Sequence, residues 1–215
     1  MSNTFTFIKH HVGHHFDTAD QEFDSAKIGM WLFLAQELLF FSGLFVAYAI
    51  FRFLHPEMFI EASKLLSWKL GALNTAFLIT SSFTIVMGVR EAQLNNRNQS
   101  IKYLFATFLL AACFMIVKFF EYKSKISHGY LPGINFTGVS DFDHLHLFFS
   151  LYFVITGLHG LHVVIGMGLI LWLIKRSYAG EFHSDYFTPV EMVGLYWHLV
   201  DIIWIFVFPL LYLIG

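Results

Sequence analysis

The amino-acid sequence predicts an all-α integral membrane protein, a bundle of five transmembrane helices, on three observations. Of 215 residues, 57% are hydrophobic and 13% charged, about half the charged share of a water-soluble domain. Five long apolar segments follow one another at 28–53, 70–89, 101–120, 147–174 and 190–214. Each is long enough to cross ~30 Å of hydrocarbon, which takes ~20 residues of helix. The segments are also continuously apolar, whereas the strands of a membrane barrel must alternate; helices satisfy their own backbone groups in lipid.

Taken in order, residues 1–27 read as a hydrophilic tail ahead of a five-helix domain at 28–215. The tail has no apolar stretch behind a basic start, so it is not read as a cleaved signal peptide, and the first span serves as the insertion signal. His10, His11, His14 and His15 contain two pairs four residues apart, a spacing that suits a divalent metal; the flanking Asp and Glu favour a solvated tail. The first connection, HPEMFIEASKLLSW, reads as a short helix along the interface. EAQLNNRNQS and KRSYAGEFHSDYFTP are short polar links. The stretch 121–146 holds Gly129, Pro132, Gly133 and Gly138 and reads as an ordered surface loop. Trp31, Trp68 and Trp172 fall near span ends, as interfacial aromatics do. The single cysteine, Cys113, excludes an internal disulfide and reads as a small packing residue. A net charge of −2 argues against a nucleic-acid partner.

Basic residues orient the bundle by a narrow margin. The amino-terminal side carries Lys9, Lys27, Arg90, Arg97, Lys102, Lys175 and Arg176; the other carries Arg52, Lys64, Lys69, Lys118, Lys123 and Lys125. Seven against six places the N-terminus in the cytoplasm and the C-terminus outside.

Ionisable groups inside the spans are the candidate functional residues, because a charge at mid-membrane costs about 2.5–3.5 kcal/mol on insertion scales and faces protein rather than lipid. At 1.5 Å per residue, Glu37 lies roughly 14 Å from the amino-terminal side, His198 and Asp201 about 12 and 16 Å, and His162 and His159 about 8 and 12 Å. Thr80, Ser81, Ser82 and Thr84 reach the same zone, so four of five helices bring polar groups to one level. The expected arrangement has Glu37 hydrogen-bonded to an imidazole, and Asp201 accepting from His198 or from a histidine of the fourth span. The alternative for the latter pair is that His198 and Asp201, three apart, simply satisfy each other. Lys118 lies roughly 25 Å along and is expected to snorkel outward, with Glu121 as its partner one turn on. Two axial histidines at matched depth, His159 and His198, keep a haem reading open.

Four stretches then point to a family: AQELLFFSGLFVAY with Glu37, FEYKSKISHG closing the third span, TGLHGLHVVIG in the fourth and YWHLVDIIW in the fifth. In this order and spacing they make the chain resemble subunit III of the haem–copper terminal oxidases, the cytochrome c oxidase and quinol oxidase group. The resemblance implies a subunit with no metal or haem of its own and no redox step. It implies direct contact with subunit I, association with subunit II, haem and copper held by those partners, and structural phospholipid. It also implies support of proton uptake and protection of the active site during oxygen reduction to water. The setting so implied is a bacterial inner membrane, with a supercomplex containing a cytochrome c- or quinol-oxidising complex as a further assembly. Glu37 matches the family's buried carbodiimide-reactive glutamate, and His159, His162, His198 and Asp201 match its buried polar positions. Many members have seven spans, two amino-terminal helices being splayed to enclose lipid; this chain has five. Subunit III of a quinol oxidase or of a nitric-oxide-reductase-type complex is the alternative within the same group. An independent transporter is the alternative outside it, though no inverted repeat or broken helix supports one.

Overall fold

A computed structural model describes residues 13–133, 136 and 144–214. Among them are six helices: α1 Ala19–Leu54, α2 Pro56–Lys64, α3 Trp68–Gln93, α4 Arg97–Ser127, α5 Leu145–Ala179 and α6 Thr188–Tyr212. All but α2 are long and apolar enough to cross a membrane, and the all-helical five-span class read from the sequence is the class found.

The helices outrun the apolar segments. α1 is 36 residues long and starts at Ala19, inside the stretch read as a tail. Its start is set by polar chemistry that hydropathy does not register. Thr18, in extended conformation, accepts from the Gln21 N–H at 3.2 Å, and the Gln21 side chain accepts from the Asp17 N–H at 2.8 Å. Asp20 and Glu22 add negative charge to the first turn, where the helix dipole favours it. At the other side α4 continues to Ser127, so the loop expected from residue 121 begins at His128. Gly138 of that loop, and His10 and His11 of the tail, lie outside the described residues.

α2 starts on Pro56, whose missing N–H is one the first turn does not need. It is the short helix expected of the first connection, and its apolar face meets protein. Phe59 packs edge-on against Tyr48 of α1 at 5.2 Å and Phe148 of α5 at 5.4 Å between ring centres. α3 and α4 form an antiparallel hairpin, tied by Ser100 Oγ to the Gly88 carbonyl at 2.8 Å and by Thr84 to Thr107 at 2.8 Å. α5 ends on Gly180, whose φ of 81° is the left-handed conformation that a side chain would oppose.

α6 is the centre of the bundle. It packs against α1, α3 and α5, while α4 joins α3 to α5 on the far side. More than half of its most apolar window, 56%, is buried, against 11% for α1. Close approach to α5 depends on Gly166, where an added Cβ would stand 2.7 Å from the Trp197 ring. Near its end α6 carries Pro209, which cannot donate within the helix; there Tyr48 reaches across from α1 and donates to the Leu210 carbonyl at 2.6 Å. Cys113, read as a small packing residue, is exposed on the bundle surface.

Candidate functional site

The intramembrane polar residues meet in three separate groups of side chains. In the first, α1 and α5 bring Glu37 and His162 together, with Oε2 to Nε2 at 3.1 Å. His162 Nδ1 lies 2.7 Å from the Leu158 carbonyl. A carbonyl only accepts, so Nδ1 carries a proton. The bond at Nε2 then needs a second proton, held either by Glu37 as carboxylic acid or by His162 as imidazolium. In either form one proton lies between the two side chains. Both side chains are largely buried, at 14% and 13% exposure, and line a cavity of about 440 Å³ with Met30, Phe33, Leu169 and Tyr196. Phe41 closes one side, its ring 5.2 Å from the imidazole, and Tyr196 donates to the His162 carbonyl at 3.0 Å.

The second group sits between α3 and α6. Ser82 Oγ is 2.6 Å from His198 Nδ1, and the same hydroxyl interacts with the Asp201 carboxyl. Asp201 Oδ1 is buried without a hydrogen-bond partner. Asp201 thus meets a serine of α3, where a histidine donor was expected. His159 joins neither group. Its ring packs against both Phe114 at 5.6 Å and Trp204 at 5.1 Å, and both ring nitrogens are buried without partners. The neighbouring polar residues of α3 are occupied elsewhere, Ser81 accepting from Trp197 Nε1 at 2.9 Å and Thr75 from Trp204 Nε1 at 3.0 Å.

A third group lies toward the opposite side and reverses one expectation. Lys118 does not snorkel to water; it is 6% exposed. Its Nζ donates to Glu121 Oε2 at 2.9 Å, Tyr212 Oη at 3.1 Å and Tyr152 Oη at 3.2 Å. Tyr212 in turn donates to Glu121 Oε1 at 2.6 Å. The rings of Tyr122, Tyr152, Trp204 and Tyr212 surround the ammonium at 5.0–5.8 Å. The pairing with Glu121 was legible as an i,i+3 spacing. The tyrosines were not, since they come from α5 and α6, 34 and 94 residues away. Among the described residues no three His, Cys, Asp or Glu side chains stand together as a metal site, and His159 and His198 fall in different groups instead of facing each other across a haem.

The fold defines a multi-pass helical membrane protein that carries a buried acid–imidazole contact within its spans. Residues 7–215 match the family model for cytochrome c oxidase subunit III, and the chain belongs to that family, the subunit III of haem–copper oxidases. It is 34% identical to the cytochrome c oxidase subunit 3 of Thermostichus vulcanus, over 92% of each chain. It is 29% identical to the cytochrome bo(3) ubiquinol oxidase subunit 3 of Pseudomonas aeruginosa, over 96% of this chain and 93% of the other. A haem–copper oxidase subunit I+III of Aeropyrum pernix is 28% identical over 89% of this chain and 23% of its own length.

Proposed function

We propose that this chain is the accessory, non-redox subunit of a proton-pumping respiratory oxidase, seated in a bacterial inner membrane with its amino terminus in the cytoplasm. Subunits I and II hold the haem and copper and reduce oxygen. This chain stabilises subunit I, retains phospholipid at its apolar faces and sustains proton uptake. The fusion of subunits I and III in one relative supports direct contact with subunit I. Relatives named for cytochrome c and for ubiquinol stand at similar identity, so the electron donor is assigned to the partner subunits.

The observation that carries the proton-handling role is the Glu37–His162 pair, which needs one shared proton and lines a cavity among apolar side chains. His198, Asp201 and His159 are supporting polar positions in this reading. In the purified oxidase, a lipid-soluble carbodiimide should label Glu37, and Glu37→Ala should leave assembly intact while shortening the number of turnovers before inactivation. Unchanged endurance over thousands of cycles, with label found only on exposed carboxyls, would leave Glu37 a packing residue.

A further inference from the structure

Three histidines meet at the end of the bundle opposite the start of α1, apart from every group described above. His55 is the single residue between α1 and α2, His144 precedes α5, and His146 lies in the first turn of α5. The ring centres of His55 and His144 are 5.2 Å apart, and those of His144 and His146 6.0 Å. His144 and His146 are exposed and His55 is half-buried. Neither His55 nor His144 uses its side chain to cap the helix it precedes.

The backbone at both positions is constrained. His55 precedes Pro56, which disfavours the helical region for it, and its N–H is bound by the Phe51 carbonyl at 3.0 Å. His144 has a φ of 70°, a left-handed conformation that costs energy for any residue with a Cβ. The ring spacing suits a shared ion. With a metal–nitrogen bond of about 2.0–2.1 Å, and each ring centre roughly 1.1 Å behind its nitrogen, two imidazoles on one tetrahedral cation have centres about 5.2 Å apart. Imidazole nitrogen also selects zinc and its neighbours over calcium or magnesium, which prefer oxygen.

We propose that His55 and His144 form a two-histidine clip for a zinc-type divalent cation, tying the α1–α2 corner to the start of α5. Water completes the coordination, with the His146 ring 6.0 Å from that of His144.

The probe is Zn²⁺ alone, titrated calorimetrically into the full chain in detergent, with His10, His11, His14 and His15 replaced by Ala in every sample so that the tail contributes nothing. One equivalent should bind, and Zn²⁺ should raise the melting temperature. His55→Ala and His144→Ala should each weaken binding at least tenfold and abolish the thermal shift, the double variant being no worse than either single one because they share one ion. His146→Ala should weaken it less. Melting without metal checks that the variants fold; should the alanine variants fail to fold, His55→Gln and His144→Gln carry the same expectation. Absence of binding in the parent, or an undiminished equivalent in the folded double variant, overturns the proposal.

Discussion

Lys118 shows how a single side chain can reverse the usual rule for its type. A lysine three-quarters of the way through a span ordinarily extends to the interface, because its stem is apolar and its head is best in water. Here four aromatic rings and three oxygen partners replace that water. Such an ion pair contributes little relative to well-packed apolar residues, but losing one member leaves the other buried and uncompensated, at a cost of about 3–5 kcal/mol. Lys118→Met should therefore destabilise the chain by about that much, and adding Glu121→Gln should recover most of the loss. Reversible unfolding in detergent would measure both; equal stability of the single and double variants would show that the pair is not coupled. A lone hydrogen bond between membrane helices is worth far less, about 0.6 kcal/mol on average, so Ser81→Ala beside Trp197 should be nearly silent in the same assay.

At the level of elements, hydropathy located five spans and missed their ends, for one physical reason. An apolar run stops where water begins, while a helix stops where its backbone is capped. Thr18 and Gln21 carry α1 well ahead of residue 28, and α4 runs on through charged residues to Ser127. The Glu37–His162 contact was partly legible, since a buried acid needs a donor and only a few imidazoles share its depth. The split into separate groups was not. Depth fixes position along the bundle axis but not the angle around it, and that angle decides that His159 meets Phe114 and Trp204 while His162 meets Glu37. Helix pairing also rests on local detail. Gly166→Val would drive its side chain into the Trp197 ring, and should separate α5 from α6 at a cost of about 1–3 kcal/mol. A melting temperature within error of the parent would show that Trp197 can swing aside.

Across the whole molecule, burial is graded from α6 at the centre to α1 at the edge. Helices with few buried contacts open first. In the isolated chain in detergent, hydrogen exchange should therefore reach the amides of α1 earliest and those of α6 last. The opposite order would mean that α1 is held by something other than its contacts with α5 and α6. The length of α1 has a separate consequence. Its 36 residues extend about 54 Å, and lying wholly within ~30 Å of hydrocarbon would take a lean of roughly 56°, beyond the range of about 0–40° seen for such helices. One end must overhang the lipid, and the charged opening turns mark which end. Phe23 in that overhang rests on Phe187 at 5.9 Å between ring centres, so the helix acts as a strut. It fixes the height of the neighbouring α5–α6 turn above the hydrocarbon by covalent geometry rather than by the give of a flexible segment.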